Sequence, residues 1–204
     1  MNIRRGQAWG DQGPLPTGGL SVATDGEVRA AVEEAMRAHV DPPPLGLLGG
    51  DLCTTLGGRG NRARLATDDA ARVVVDVAHV VLDDLTEHWF VAHLVARHAW
   101  WRGRVVAVMN AAYIGSWNIA PRAHPGDGLL DMLDADLSLS DRGKARTRLP
   151  LGTHVPHPAI RVSRLRVVDF ELDRLTPIWL DGQRVGRAHH VHVEVVPDAL
   201  VVVV

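Results

Sequence analysis

The chain changes its hydrophobic pattern at about Ala71, and this change limits the folds that it can adopt. Before that point, short apolar runs alternate with one helix-like segment and two glycine-rich loops. After it, β-branched runs such as RVVVDVAHVVLDD, RVVAVMNAAYIG and LVVVV dominate, and residues of this kind favour strands. We therefore expect a reduced α/β domain over residues 1–66, followed by a β-rich sandwich domain over residues 67–204.

The first part of the chain reads as an α/β unit. Its predicted elements, in order, are the strand LSVA, a helix within TDGEVRAAVEEAMRAHV, the strand LGLL and a helical turn in DLCTTLGG. Within the helix, one face is predicted by the spacing of Val28, Val32, Ala35, Met36 and His39, and DPPP ends it because proline cannot continue a helix. This order of elements is typical of a nucleotide-binding α/β half.

The second part has the pattern of a sandwich with hairpins. VVDFELD alternates apolar and acidic residues, as a half-buried strand does. In IWLDGQRV, Asp181 and Gly182 lie between apolar flanks, which predicts a two-residue hairpin turn. The chain ends in four valines, which we expect to form a buried strand.

Composition excludes several classes of protein. The formal net charge of −2 offers no basic footprint for nucleic acid. Cys53 is the single cysteine, which excludes an internal disulfide and a Cys-rich zinc site, and we expect it to be a small buried residue. No window approaches the ~18 continuous apolar residues of a membrane span. The sequence predicts a cytoplasmic protein with no transmembrane segment, for which peripheral contact with the inner membrane surface stays open.

Four segments, in this order, resemble the diacylglycerol kinase-like lipid kinase family, the bacterial group that includes relatives of the sphingosine kinases. They are ATDGEVRAAVEEAM, PPLGLLGGDLCTTLGG, NAAYIGSWNIAPRAHPGDGLLDML, and GTHVPHPAIRV followed by IWLDGQRVG. The resemblance covers roughly residues 20–204, and its last two segments are the most specific. It implies that an α/β domain holds ATP and that a β-sandwich closes over the cleft.

The activity implied by the resemblance is transfer of the ATP γ-phosphoryl group, with Mg²⁺, to the hydroxyl of a diacylglycerol-like lipid at a membrane surface. Such chemistry needs backbone N–H groups around the phosphates and a carboxylate that accepts the hydroxyl proton. The resemblance assigns the general base to Asp181. It assigns nucleotide binding to Thr24, Asp25, Gly26, Gly49, Gly50, Asp51 and Gln183. It assigns a structural Mg²⁺ to Asp127, with backbone carbonyls near His124 and Leu129.

Several positions depart from the family pattern. Ala23 and Thr24 replace the two leading glycines of the first loop, Gly50 stands where the family has Asn, and Gln183 stands where it has Glu. Glu27 replaces a threonine and would bring a carboxylate toward the phosphates. Two unit charges ~5 Å apart repel by about 3 kcal/mol at an effective dielectric constant of about 20. These departures support an alternative function, a catalytically inactive pseudokinase that acts as a binding or assembly module.

The segment before the first loop is shorter than the β-α-β-α lead of the family. We expect it to form an irregular or extended arm, and an open sheet edge left beside it would favour a homodimer. A third option is a lipid carrier that uses the sandwich cleft without phosphoryl transfer.

Simpler interpretations of the same residues stay open. The Asp-Gly pairs at 181–182 and 127–128 can serve only as turns, and Asp25 or Asp51 can serve only as a helix cap. The eleven histidines form no carboxylate–histidine pattern with the spacing of an open metal site, so zinc is not favoured.

The tryptophans also allow two interpretations. Trp100 and Trp101, with Trp89 and Trp117, can mark a membrane-facing lip or can be core aromatics. Arg102 and Arg104 stand beside them and would suit anionic headgroups in the first case.

Overall fold

The computed structural model of the protein describes residues 9–204. The strands in this range are β1 (Asp11–Gln12), β2 (Leu20–Val22), β3 (Leu45–Leu47), β4 (Ala71–Leu82), β5 (Thr86–Phe90), β6 (His93–Arg97), β7 (Val105–Met109), β8 (Tyr113–Ile114), β9 (Trp117–Asn118), β10 (Leu130–Ala135), β11 (Ile160–Leu165), β12 (Val167–Leu180) and β13 (Gln183–Val203). The α-helices are α1 (Asp25–Arg37), α2 (Asp51–Thr55) and α3 (Leu139–Arg148), and short 3-10 turns lie at Arg64–Ala66 and Leu149–Leu151. The arm predicted before the first loop falls partly on residues 1–8, outside the described range.

Eleven of the strands form one hydrogen-bonded sheet, and β8 and β9 form a separate hairpin. Along its main path the order is β1-β4-β13-β12-β6-β7-β10-β11, and all neighbours on this path are antiparallel. β5 pairs with β4 in the antiparallel direction. β2 and β3 are parallel to each other, and β3 is parallel to the end of β13.

The sheet folds over on itself, because distant strands in this order contribute to one apolar core. Val80 of β4, Phe90 of β5, Val108 of β7, Leu130 of β10 and Val193 of β13 all lie in this core and are buried. Register shifts interrupt the pairing of β13 with both β12 and β4, and such irregularities bend long strands. The predicted β-rich sandwich is confirmed.

The reduced α/β part consists of β2, α1, β3 and α2. Helix α1 buries Val28, Val32 and Ala35, and Met36 packs partly buried against the same core. The prediction was wrong for His39, which is exposed and lies after the helix ends at Arg37. Strand β3 pairs with Val202 and Val203 at the end of β13. The terminal valines are therefore part of a buried strand, and they join the α/β part to the sandwich in one sheet. The fold class is confirmed, whereas a domain boundary between residues 66 and 67 stays a prediction.

Two further local predictions are confirmed. Strand β12 ends at Leu180 and β13 begins at Gln183, and the turn residues Asp181 and Gly182 have φ of +48° and +78°. Two positive φ values are what a tight two-residue hairpin turn needs. Cys53 is buried, as expected for a small apolar residue.

Helix α3 lies in a segment whose sequence does not predict a helix. This segment, LSDRGKARTR, has Leu139 as its only large apolar residue, so apolar spacing could not reveal a helix. Its start is fixed by Ser138, whose hydroxyl accepts a hydrogen bond from the N–H of Asp141. In residues 9–204, no helix is long and apolar enough to cross a membrane.

Candidate functional site

The two glycine-rich loops meet at Asp25, the first residue of α1. Its carboxylate accepts hydrogen bonds from the backbone N–H groups of Asp51, at 2.5 Å, and Leu52, at 3.1 Å. Those N–H groups are free donors at the start of α2, so Asp25 caps that helix from α1. Burial raises the pKa of Asp25 to about 6, against the lowering effect of these hydrogen bonds. One buried carboxylate therefore holds the two loops together.

The same contact explains why glycine stands at position 50. Gly50 has φ +95°, and a Cβ there would overlap the Asp25 carboxylate. At Gly49, a Cβ would lie 2.6 Å from the carbonyl oxygen of Ala23. The two loops are thus too close for a side chain at either position, which accounts for glycine at the position where the family has Asn.

Asp181, in the β12–β13 turn, receives three backbone N–H groups. Its Oδ1 accepts from Ala92 at 2.9 Å and from His93 at 3.1 Å, and its Oδ2 accepts from Val91 at 3.1 Å. Burial raises the pKa of Asp181 to about 7 despite these hydrogen bonds, and the charge of Asp25 adds to the rise. A carboxyl group with a pKa near 7 can both accept and release a proton at neutral pH.

His93 links Asp181 to Asp51. Its backbone donates to Asp181, and its ring Nδ1 lies 3.6 Å from Asp51 Oδ2. Burial lowers the pKa of His93 to about 4, so the ring is neutral at pH 7. Asp51 Oδ1 accepts the N–H of Gly115 at 2.7 Å, and burial raises the pKa of Asp51. The α/β part and the sandwich therefore meet at a group of carboxylates around one neutral imidazole.

Gly26 and Gln183 adjoin this group. A Cβ on Gly26 would lie 2.6 Å from Gln183 Nε2, and Gln183 Oε1 accepts a hydrogen bond from Arg29 Nη2 at 2.5 Å. Thr24 precedes α1, and its hydroxyl accepts the N–H of Glu27 at 3.2 Å. The structure thus places all the predicted catalytic and nucleotide-binding residues in one region. Their binding of a nucleotide stays a prediction.

Glu27 turns back toward the chain that precedes α1. Its Oε2 accepts the N–H of Ala23 at 2.6 Å, just before the helix, while the Thr24 hydroxyl accepts the N–H of Glu27 and caps α1. The carboxylate of Asp25 caps α2. Carboxylates of the protein itself therefore occupy backbone N–H groups at the start of α2 and just before α1, where the phosphates of a nucleotide would compete with them.

The predicted metal ligands lie apart from this group and have other partners. Asp127 Oδ2 pairs with the Arg164 guanidinium, and Asp127 Oδ1 accepts the N–H of Leu129 at 3.1 Å. The carbonyl oxygen of His124 accepts two backbone N–H groups, at 2.8 and 3.3 Å. Arg164 Nε also donates to Asp131 at 3.2 Å.

The oxygen atoms of Asp127 and His124 already have these partners, so as arranged they do not fit Mg²⁺, which requires an octahedral set of free oxygen ligands. The Arg164 guanidinium supplies positive charge where the resemblance implies a cation. Within residues 9–204, no three or more His, Cys, Asp or Glu side chains are grouped so that they could hold a metal ion. A magnesium ion held by Asp127, His124 and Leu129 stays a prediction, and it would require Arg164 to move.

Two buried polar residues connect the two regions, and the sequence analysis did not select them. Asn110 Nδ2 donates to the carbonyls of Asp76, at 2.9 Å, and Val91, at 2.8 Å. The Asp76 carboxylate accepts the N–H of Gly128 at 2.7 Å, and burial raises its pKa to about 6. A single acidic residue inside the apolar run RVVVDVAHVV is the signal for Asp76, because a buried carboxylate needs partners.

A cavity of about 310 Å³ is lined in part by the β8–β9 hairpin, which also contacts this site. Its walls are mostly apolar and include Trp100, Val105, Leu133, Leu149 and Ile160. Ile114 and Trp117, at the facing ends of β8 and β9, also line it. Gly115, between them, is the residue that donates to Asp51. The hairpin therefore connects the carboxylate group to the cavity.

The residues considered for a membrane-facing lip fall into two groups. Trp101 is 66% exposed, whereas Trp100 lines the cavity and meets Trp117 edge-on, with ring centroids 5.5 Å apart. Arg102 is exposed. Arg104 pairs with Asp134 at 2.8 Å, so the expectation that Arg104 suits lipid headgroups is not supported.

Comparison with known proteins places the chain in a family. A family model described as the YegS C-terminal NAD kinase beta sandwich-like domain matches residues 60–204. No curated protein matches the chain.

Solved structures share the fold at low sequence identity. A "putative diacylglycerol kinase" from Bacillus anthracis str. Sterne has a TM-score of 0.71 at 15% identity, over 90% of this chain and 77% of that chain. A second structure with the same description and source has a TM-score of 0.69 at 14% identity, over 90% and 76%. A third, described as a diacylglycerol kinase from the same strain, has a TM-score of 0.64 at 16% identity, over 90% and 75%. The family model matches most of the length of this chain. The chain therefore belongs to the YegS C-terminal NAD kinase β-sandwich-like family, in agreement with its resemblance to the diacylglycerol kinase-like lipid kinases.

Proposed function

We propose that the protein is a lipid-kinase-like phosphotransferase, which moves the γ-phosphoryl group of Mg-ATP to the hydroxyl of a diacylglycerol-like lipid. The observation that carries the proposal is the meeting of Asp25, Asp51 and Asp181 with the two glycine loops. Family membership supports it, and the similar structures from Bacillus anthracis carry diacylglycerol kinase names.

In this proposal Asp181 is the general base. The lipid hydroxyl oxygen forms a bond to the γ-phosphorus, and the bond from that phosphorus to the β–γ bridging oxygen breaks. The hydroxyl proton passes to the Asp181 carboxylate, and ADP leaves. Three backbone N–H groups hold that carboxylate in place, and its pKa of about 7 suits proton exchange at neutral pH.

The nucleotide would lie against the loop that contains Gly49 and Gly50 and against the start of α1. At both stretches the phosphates would take the place of the Asp25 and Glu27 carboxylates as acceptors of backbone N–H groups. Arg29, held by Gln183 beside Gly26, supplies a guanidinium of the kind that suits phosphate oxygens. The substrate is Mg-ATP, whose ion offsets part of the repulsion between the phosphates and the carboxylates of the site.

The lipid would use the apolar cavity beside the site. A volume of about 310 Å³ holds part of an acyl chain, and each buried CH₂ group contributes about 0.8 kcal/mol. Ile114 and Trp117 line the cavity, and their hairpin also donates to Asp51 through Gly115. A lipid in the cavity would thus lie next to the element that contacts the nucleotide loop.

Transfer of labelled γ-phosphate from Mg-ATP to diacylglycerol in mixed micelles tests the proposal. The native protein should yield labelled lipid, and Asp181→Asn should reduce the rate by about 100-fold or more. Asp173→Asn, which changes an exposed carboxylate of β12, the strand before the Asp181 turn, is the matched control and should keep the native rate. No turnover with diacylglycerol or other lipid alcohols, by protein that melts cooperatively, would refute the proposal.

Glu27 favours a second candidate function, a pseudokinase that binds partners without phosphoryl transfer. Its contact with Ala23, and those of Asp25 with Asp51 and Leu52, occupy donors that a nucleotide would need. A pseudokinase should show no measurable Mg-ATP binding by calorimetry, so a dissociation constant of roughly micromolar size would count against it.

Three broader features also stay proposals. These are a division into domains 1–66 and 67–204, a cytoplasmic location with peripheral membrane contact, and a homodimer. Light scattering that shows a monomer at all concentrations would contradict the dimer.

A further inference from the structure

We propose that α3 and the loop that carries Trp101 form a docking surface for anionic lipid membranes. This α3 surface consists of exposed apolar and basic side chains at the mouth of the cavity: Trp101, Arg102, Leu139, Lys144, Arg146 and Arg148. The inference deepens the proposed function, because it names the surface through which a membrane lipid would be reached. Its test needs no ATP, so the two proposals can fail separately.

The apolar members of the surface are large and open to solvent. Trp101 is 66% exposed and Leu139 is 73% exposed, and both line the cavity mouth. Large exposed apolar side chains grouped at a cavity mark a binding surface rather than ordinary surface composition. Tryptophan in particular favours the interface between water and lipid.

The basic members give the surface a charge opposite to that of the whole chain. Helix α3 contains four basic residues and one acidic residue, Asp141, whereas the chain has a net charge of −2. Asp141 is paired with Lys144 at 3.1 Å. Arg146 lies at the cavity itself, and Arg148 is exposed. Basic residues on a short helix beside apolar ones are typical of segments that lie on anionic membranes.

The helix and the loop are joined into one unit. Arg142 of α3 donates to the carbonyl oxygens of Leu137 and Trp100, both at 2.9 Å, and to that of Gly103. Its two contacts at Trp100 and Gly103 flank Trp101. Helix α3 itself contains no buried residue, so these contacts of Arg142, rather than packing in the core, join it to the loop.

The cavity favours a lipid bilayer as the partner of this surface. An apolar cavity that opens between exposed Trp101 and Leu139, with Arg146 at its edge, allows an acyl chain to pass from a membrane into the protein without crossing water. Headgroup phosphates would meanwhile stay near the guanidinium groups.

Vesicle co-sedimentation of the intact chain without nucleotide tests the proposal. Vesicles of phosphatidylcholine with about one third phosphatidylglycerol should bind the chain at low salt, and each basic residue at the surface should strengthen binding about fivefold. Vesicles of phosphatidylcholine alone should bind it more weakly. Salt should reduce the difference, because it screens exposed charges.

Three double variants separate the contributions. Arg146→Gln with Arg148→Gln should weaken binding to anionic vesicles by about tenfold or more, and Trp101→Ala with Leu139→Ala should weaken binding to both kinds of vesicle. The control, Arg59→Gln with Arg62→Gln, removes the same charge from exposed positions elsewhere and should bind as the native chain does. As a second measurement, vesicles should shift the native tryptophan emission to shorter wavelength, and Trp101→Phe should reduce this shift.

Two outcomes would overturn the proposal. The first is an absence of binding to anionic vesicles, or an equal loss in the control variant. The second is a dimer, detected by light scattering, that Trp101→Ala with Leu139→Ala dissociates, because this would assign the surface to a second copy of the chain.

Discussion

His93 and Asp181 hydrogen-bond each other in both directions. The N–H of His93 donates to Asp181 Oδ1 at 3.1 Å, and the N–H of Asp181 donates to the carbonyl oxygen of His93 at 2.9 Å. The turn that carries the proposed base is thereby fixed to the start of β6. A carboxylate held in this way is positioned before any substrate arrives, which is the condition for efficient proton transfer.

Asp181 should make the protein less stable as pH rises from about 4 to about 7. Burial raises its pKa from 3.8 to about 7 in the folded state, so in this range the folded state holds a proton that the unfolded state has lost. The free energy of unfolding then decreases as pH increases. His93 acts in the opposite direction between about pH 4 and 6.5, because burial lowers its pKa from 6.5 to about 4.

Urea unfolding of the native protein and of Asp181→Asn across this pH range isolates the effect of Asp181. His93 titrates in both proteins, so its own contribution is removed in the difference, which keeps only the titration of Asp181 and its coupling to neighbours such as His93. The native free energy of unfolding minus that of the variant should decrease from about pH 4 to about pH 7. Parallel curves would mean that the carboxyl group titrates normally in the folded protein.

Gly50→Ala should destabilise the protein more than an alanine substitution at a glycine where backbone strain is the only penalty. A Cβ at Gly50 would meet both an unfavourable φ of +95° and the Asp25 carboxylate. Gly57→Ala is the matched control, because Gly57 has φ +77° with no atom near its Cβ position. Strain alone costs about 1–3 kcal/mol, so urea unfolding should show the larger loss for Gly50→Ala. Equal losses in the free energy of unfolding for the two variants would show that the close approach of the loops does not add to the cost of a side chain at Gly50.

Glu27→Gln should tighten Mg-ATP binding. The change removes one negative charge near the start of α1 and leaves an oxygen that can still accept the N–H of Ala23. The full repulsion of about 3 kcal/mol is an upper limit, so a gain of about tenfold in affinity is expected. Glu34→Gln, an exposed change on the same helix, should leave the calorimetric dissociation constant unchanged. If Glu27→Gln and Glu34→Gln had the same dissociation constant for Mg-ATP, the phosphates would lie away from the start of α1.

We expect the Arg164 guanidinium, rather than a metal ion, to stabilise the region around Asp127. In the absence of nucleotide, millimolar Mg²⁺ should leave the native melting temperature unchanged. Arg164→Ala leaves Asp127 and the buried Asp131 without their cation, so it should cost about 1–3 kcal/mol, and Mg²⁺ should restore part of this loss. Arg161→Ala, on the same strand, should show neither effect. A native protein that Mg²⁺ stabilises, with loss of the effect in Asp127→Asn, would instead support the predicted metal site.

The sequence predicted those features that depend on local pattern. The turn at Asp181 and Gly182, the helix of Val28 and Val32, and the buried strand of the last valines each follow from a few neighbouring residues. The family resemblance named residues that lie together in the structure, although their binding role is a proposal.

The remaining features depend on contacts between distant parts of the chain. The donors to Asp181 come from residues about ninety positions earlier, and the pairing of Arg164 with Asp127 joins β11 to the loop before β10 through a tertiary contact. No periodicity encodes such contacts. Helix α3 was missed for a different reason, since it lacks the apolar face by which a helix is recognised.

Calorimetric titration of Mg-ATP into the native protein at pH 7 measures whether the two loops, around Asp25 and at Gly49–Gly50, still accept a nucleotide. We expect saturable binding at one site per chain, with a dissociation constant of roughly micromolar size, or about −8 kcal/mol. A folded protein that releases or absorbs no heat with Mg-ATP, and whose melting temperature does not change with it, would show that these loops no longer bind a nucleotide.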